Sequence, residues 1–200
     1  LFLVGLAGGQ LGLVEAGANG LRVDPIDQVD RSRSLASLHL DNTPVELLEG
    51  NPSTIDTVMD AARILLAADA FGAAWKLIRL TVDYCQTREQ FSTPIAQFQA
   101  VKHQLANMAK EAEPMRGLIW YAAYAFDHRR EEAPREASTA KAHVTDRAVQ
   151  IGRDAVSLHG GIGFTWECDV HFWLKRAMHD RVWLGSPTAH RERLAQLASW

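Results

Sequence analysis

The stretch Thr87-Arg88-Glu89-Gln90-Phe91-Ser92-Thr93-Pro94-Ile95-Ala96-Gln97-Phe98-Gln99-Ala100-Val101-Lys102-His103 decides the fold, because it joins two long segments that both repeat apolar residues at helical spacing. Upstream, Ile55, Val58, Met59, Ala62, Leu65, Leu66 and Phe71 recur at three- and four-residue steps, which predicts a helix over 54–87 with a broad buried face. Ser53 followed by Asp56 fits a broad form of the capping box at its start, with the Ser53 oxygen meeting free N–H groups. Downstream of the Ser92-Thr93-Pro94 turn, Val101, Leu105, Met108, Ala112, Met115, Ile119 and Ala122 form the inner stripe of a second helix over 96–130, with a kink expected at Pro114. A charged loop over 127–136 leads to a third helix at 137–159. The Gly160–Gly163 turn then precedes a fourth at 171–179, and a terminal helix starts near Pro187. Long antiparallel helices on short connections predict a mainly α chain built as an up-and-down four-helix bundle.

The first part of the chain has a different pattern. Leu1-Phe2-Leu3-Val4, Gly20-Leu21-Arg22-Val23 and Leu35-Ala36-Ser37-Leu38-His39-Leu40 read as short strands separated by Gly, Pro, Asp and Asn. Leu38 and Leu40 alternate with His39 and Asp41, as in a strand with one wet face. Strands this short and few hardly stand alone, so residues 1–50 are expected to be the tail of a β-domain and 51–200 the helical domain. Leu1 lies within an apolar run with no initiator methionine, as expected of a piece of a longer chain.

Hydrophobic residues make up 47% and charged residues 22%, enough apolar material for a full core in 200 residues. A formal charge of −3 with interspersed signs offers no basic face to nucleic acid or anionic membrane. Cys85 and Cys168 have no metal spacing, and two cysteines make no disulfide framework, which favours a reducing cytoplasm. No window has the length of about 20 apolar residues that spans a bilayer. The histidines are scattered, and no metal site is expected.

Three segments carry the chemistry. An arginine at a helix end, as at Arg88, often only complements the helix dipole, although its planar donor fork also suits phosphate. Leu158-His159-Gly160-Gly161-Ile162-Gly163-Phe164 is most simply a tight turn, and without a preceding strand it is not a dinucleotide fingerprint. Trp183-Leu184-Gly185-Ser186-Pro187-Thr188 is the third. Together with Gln97-Phe98-Gln99-Ala100-Val101-Lys102-His103 they resemble the acyl-CoA dehydrogenase family, specifically its C-terminal part.

That resemblance implies FAD as cofactor and an acyl-CoA thioester as substrate, α,β-dehydrogenated in lipid metabolism. It also implies a homo- or hetero-oligomer, dimer or tetramer, that completes FAD sites across an interface, with an electron-transfer flavoprotein or similar acceptor. Arg88 would reach the flavin pyrophosphate, Phe91 would lie by the adenine end and Gln99 would bond the adenosine part. Gln90, Ser157, Gly160 and Gly161 complete the implied cofactor-binding set, and Ser157 departs from a common glutamine.

The family's base is a glutamate in a Tyr-Glu-Gly-Thr loop followed by arginine, and here Leu184 stands in that register, with Arg191 beyond it. In another branch the glutamate sits on the first long helix, twenty-six residues before Arg88, and that position is Ala62. The resemblance thus extends to heteromeric actinobacterial members of steroid side-chain breakdown, in which one subunit type carries the glutamate. A homomeric enzyme with an unrecognised base, Asp60, Asp69 or Glu167, and a non-catalytic interaction module remain open alternatives.

Overall fold

The computed structural model describes residues 1–51 and 53–198. The chain divides into two compact units, Leu1–Asp60 and Ala61–Trp200. In the first, β1 (Phe2–Gly5), β2 (Leu11–Val14) and β5 (Glu46–Leu47) form an antiparallel sheet in the order β1-β2-β5, and β3 (Leu21–Ile26) pairs with β4 (Leu35–Leu40) as a separate antiparallel ribbon. β2 and β5 escape the sequence pattern because one contains a glycine and the other has two residues. The wet-face expectation for β4 fails: Leu38 is half-buried, but Leu40 is 42% exposed, so neither face is closed.

Among the described residues five α-helices follow: α1 (Thr54–Thr87), α2 (Gln99–His128), α3 (Ala133–His159), α4 (Val170–Val182) and α5 (Pro187–Leu197). α1 ends where its pattern predicts. Its N-terminus is held differently from a capping box, because the Ser53 hydroxyl donates to Asn51 Oδ1 at 2.6 Å and the Asn51 N–H donates to Thr54 Oγ1 at 3.0 Å. α3 begins before residue 137, with Pro134 in its first turn, where a missing N–H costs nothing. α2 continues unbroken through Pro114, which lies on its exposed side.

One core joins α1 to α4. It contains Ile64, Ala67, Ala70, Ala74 and Leu77 of α1, Met108, Ala112, Met115 and Ile119 of α2, Ala140, Val144, Ala148 and Ile151 of α3, and Val170 and Ala177 of α4. The stripe predicted for α2 is the buried one. For α1 the phase is corrected, since Leu65 is 70% exposed and the alanines make the contact face. Leu65 lies off the face that Ile64, Ala67, Ala70, Ala74 and Leu77 share. Between α3 and α4 the approach is close at Gly152, where a Cβ would meet Leu174 Cδ1 at 2.7 Å.

Fifteen of the 27 residues of α3 are buried, so it is covered on more than one side. Lys141 lies against Arg181, and Gly152 against Leu174, so α4 runs antiparallel to α3. At the far end Tyr84 of α1 stacks on His159 of α3, centroids 4.3 Å apart, which places these two C-termini side by side. The arrangement is up-and-down, with α5 packed on α3. Leu77 is fully buried at the centre, so Leu77→Ala is expected to lower the unfolding free energy by about 2–5 kcal/mol, read as a lower urea midpoint at unchanged slope.

Candidate functional site

The link between α1 and α2 is a miniature hairpin of β6 (Glu89–Gln90) and β7 (Thr93–Pro94), with Phe91 and Ser92 at its tip. Both tip residues have positive φ, 55° and 59°, as a two-residue hairpin turn of the primed type requires. Glycine or asparagine usually takes such positions, so an aromatic residue there is held against its preference. The Ile95 N–H donates to Arg88 O at 2.8 Å and the Arg88 N–H to Tyr84 O at 2.8 Å, anchoring the hairpin to the end of α1. Arg88, Gln90 and Gln99 are exposed, and Phe91, 90% exposed, makes an edge contact with Phe98 at 6.3 Å.

The glycine turn lies beside this hairpin's anchor, because the Tyr84 hydroxyl donates to His159 O at 3.3 Å immediately before Gly160. Gly160 has φ 65° and ψ −143°, a combination that residues with a Cβ scarcely enter. Gly163 is required by packing, as a Cβ would meet Val156 O at 2.9 Å. Gly161 is different: it is not left-handed, and nothing lies within 4 Å of where its Cβ would stand. Among the described residues, no packing contact requires glycine there. Ser157, Gly160 and Gly161 are all exposed, and so are Ile162, Phe164 and Trp166.

The third segment sits at the opposite end. Leu184 has φ 58° and Gly185 φ 108°, between α4 and Ser186, whose Oγ accepts from the Ala189 N–H at 3.3 Å and caps α5. From Lys141, which touches this loop, to His159 the helix rises about 27 Å at about 1.5 Å per residue. Ala62 belongs to the loop's end as well, because its neighbour Arg63 acts electrostatically on both Lys141 and His190. The structure therefore groups Arg88, Gln90, Phe91, Gln99, Ser157, Gly160 and Gly161 at one end of the bundle, and Leu184 and Ala62 at the other.

Two residues that sequence reasoning passed over hold the loop. Lys141 is fully buried and its Nζ donates to Gly185 O at 3.0 Å and Arg181 O at 3.4 Å. Burial pulls its pKa down to about 8, with Asp180 opposing and Arg63 and Arg181 adding to the shift. His190 is 3% exposed, and its Nε2 bonds Leu184 O at 3.0 Å, which makes Nε2 the protonated nitrogen. Burial, then the Lys141 charge, lower its pKa to about 4. The signal was a lysine inside the small-residue stripe Ala137, Ala140, Val144, Ala148.

The carboxylates considered as replacement bases are otherwise engaged or poorly tuned. Asp69 Oδ2 accepts from Arg176 at 3.1 Å, and Asp60 is buried with a partner of its own. The Thr165 hydroxyl lowers the pKa of Glu167, the wrong direction for a base working near neutrality. Arg191 donates to Asp146 Oδ2 at 3.3 Å, sharing that carboxylate with Arg147 and Arg181.

Residues 49–198 match the family model described as acyl-CoA dehydrogenase, C-terminal domain. The chain belongs to the acyl-CoA dehydrogenase family. Acyl-CoA dehydrogenase IpdE2 of Mycobacterium tuberculosis is 37% identical over 175 residues, covering 88% of this chain and 50% of that protein. Acyl-CoA dehydrogenase FadE34 of the same organism is 36% identical over 82% of this chain and 23% of its own length. Among solved structures, the Tcur3481–Tcur3483 steroid ACAD, in a variant form, superposes with a TM-score of 0.86 at 32% identity, covering 94% of this chain and 51% of that one. The chain thus spans about half the length, or less, of these acyl-CoA dehydrogenase relatives.

Two expectations follow. Gly160→Ala should cost about 1–3 kcal/mol in urea unfolding, because φ 65° with ψ −143° is a region held essentially by glycine, whereas Gly161→Ala should be neutral or stabilising by up to about 1 kcal/mol. In pH-dependent unfolding, His190 binds its proton more weakly folded than unfolded, so its contribution is present above about 6.5 and lost as pH falls toward 4. Lys141 has the same sense at higher pH, so stability rises from about pH 8 toward 10.5, at most by about 1.4 kcal/mol per unit. His190→Gln should flatten the window between about 4 and 6.5, and Lys141→Met should flatten its own window and also narrow that of His190, whose shift owes part to the Lys141 charge.

Proposed function

We propose that this chain is the C-terminal part of an FAD-dependent acyl-CoA dehydrogenase subunit that lacks its own catalytic base and completes flavin sites across an interface with a glutamate-bearing subunit. The observation that carries the reading is aliphatic occupancy of both base positions, Leu184 and Ala62, at one end of the bundle. A carboxylate at either place would support an ordinary homomeric enzyme.

FAD fits the residues at the other end. The open space over Gly161 would receive a flat or phosphate group against the backbone, Arg88 would pair with the pyrophosphate, and Phe91 and Gln99 would bracket the adenosine portion. When bound, the flavin supplies the hydride acceptor for the substrate's β-hydrogen, and an electron-transfer flavoprotein or similar acceptor would take the electrons onward. The chain's own residues bind and orient. Exposed Phe91, Phe164 and Trp166 would exclude water from the cofactor at a subunit contact. The separation of about 27 Å along α3 supports a shared site, because one copy's flavin segments and base loop cannot meet on one substrate.

The steroid ACAD likeness favours a steroid-derived acyl thioester. Among the described residues, no helix is long and apolar enough to cross a membrane.

The test is co-expression of the full-length gene product with candidate glutamate-bearing partners, followed by flavin quantification and acyl-CoA-dependent dye reduction. The isolated subunit should be slower than the complex by about 10²- to 10⁴-fold, the usual contribution of a positioned base. Equal activity from the homo-oligomer would sink the proposal.

A further inference from the structure

His171, in the first turn of α4, is 5% exposed, and among the described residues neither of its ring nitrogens has a hydrogen-bond partner. An imidazole carries at least one N–H in every protonation state, so a donor is buried here without an acceptor. Leaving one buried polar group unanswered costs about 5- to 150-fold in an equilibrium, and the second nitrogen adds to that.

What covers this imidazole is itself on the surface. Trp166 stands edge-on to the His171 ring, centroids 5.2 Å apart at 86°, and Phe172 lies 4.3 Å away at 40°. Trp166 is 63% exposed, so part of the indole covers the imidazole while most of it meets water. The Lys175 Nζ is 5.0 Å from the Trp166 ring and 5.7 Å from the Phe172 ring. Lys175 follows His171 by one turn on the same face of α4, and helical side chains lean toward the N-terminus, so the lysine reaches back over the imidazole's turn. Its cation–π contact is worth about 2- to 5-fold at a partly exposed site.

Trp166 can also move without disturbing the helices. It and Glu167 are the central residues of a turn closed by one backbone bond, from the Cys168 N–H to Thr165 O at 3.3 Å. A change of χ1 at Trp166 swings the indole outward and breaks no backbone bond of α3 or α4. Contributions of similar size oppose one another at this ring. Against the covering position stand the unanswered nitrogens. For it stand the aromatic contacts, each about 2- to 12-fold, the Lys175 contact and the covered part of the indole. An element balanced in this way populates both positions.

We propose that Trp166 is a lid over His171, latched by Lys175, which opens while the bundle stays folded and which a subunit contact on the exposed face of the indole holds shut. Shut, the surface that follows the glycine turn presents an indole. Open, it presents an imidazole and an ammonium group in its place, so the same patch changes from apolar to hydrogen-bonding. A partner that buries the indole binds the shut form alone, and part of its affinity goes into closing the lid. The subunit contact rests on the function proposed above; the lid does not.

The test is labelling by diethyl pyrocarbonate, which acylates imidazole nitrogens that reach solvent, read by mass spectrometry on the full-length gene product without a partner subunit. His190, 3% exposed and bonded through Nε2 to Leu184 O, is the reference for a histidine that reacts only on unfolding. His171 should label at least about tenfold faster than His190, at a rate that urea below the onset of unfolding leaves unchanged, because a lid exposes little surface. Lys175→Met should speed His171 labelling by about 2- to 5-fold at an unchanged urea midpoint, and Trp166→Ala by about threefold or more. A merely structural lysine would lower the midpoint and leave the relative labelling alone. Labelling of His171 no faster than that of His190, or rising with urea along the global unfolding line, overturns the lid, whether or not Trp166→Ala folds. An unchanged rate in Lys175→Met overturns the latch.

A second arm adds the glutamate-bearing partner subunit. Complex formation should slow His171 labelling by about tenfold or more. An active complex with no slowing overturns the subunit contact at Trp166 and leaves both the lid and the proposed function standing. If no complex forms, the contact and the proposed function fall together, and the first arm alone decides the lid.

Discussion

An ammonium group in the middle of a helical core has to be answered, and the answer given to Lys141 sets the arrangement of everything C-terminal to α3. Burying such a charge costs several kcal/mol unless its donors are taken up. Here they meet the carbonyls of Arg181 and Gly185, near Asp180, itself fully buried. Those carbonyls belong to the end of α4 and the turn after it, so satisfying the lysine draws that turn onto α3. α5 can then start at Ser186, and its His190 comes to lie beneath the turn. Removing the lysine would release the turn and the start of α5 together.

The small-residue faces of α1 and α3 give this clamp its precision. Ala67, Ala70 and Ala74 face a core that also contains Ala137, Ala140 and Ala148. Dense packing of such a core leaves little room for sliding, so α3 acts as a stiff spacer. One end presents the hairpin and glycine turn, linked through Tyr84 and His159, and the other presents the Leu184 loop. No side-chain rearrangement spans about 27 Å of helix. On the proposed reading this rigidity makes association with another subunit a geometric requirement.

The helices were legible because three- and four-residue periodicity is local, and α1 runs over 54–87 as its pattern predicts. Which residues of α1 face inward was less so. Leu65 reads as core by hydrophobicity and is 70% exposed, while its neighbours Ile64 and Leu66 are buried, a phase that hydrophobicity alone does not distinguish. The Glu89–Pro94 hairpin was read only as a turn, since strands of two residues leave no alternation and a Phe-Ser tip lacks the usual glycine or asparagine. The hairpin and the glycine turn stand out by resemblance to a family motif, and their convergence depends on a stacking contact between positions 84 and 159 that no local pattern encodes. Lys141 and His190 were missed for the same reason: their partners are backbone atoms, and a carbonyl has no sequence signature.

Backbone-based clamping also bears on how a subunit of this family could exchange one role for another. If the side chain at 184 took part in holding its loop, losing a carboxylate would disturb the turn and everything resting on it. Since the loop hangs on Leu184 O and Gly185 O, the side chain can change from acid to aliphatic with the main chain unmoved. The chemical consequence is large, on the order of 10²- to 10⁴-fold in any step needing that base. The structural consequence is confined to one half-buried side chain. On the proposed reading, such a disparity would let selection relax the base in one of two paired subunits while the fold and the opposite end of the bundle stay under constraint.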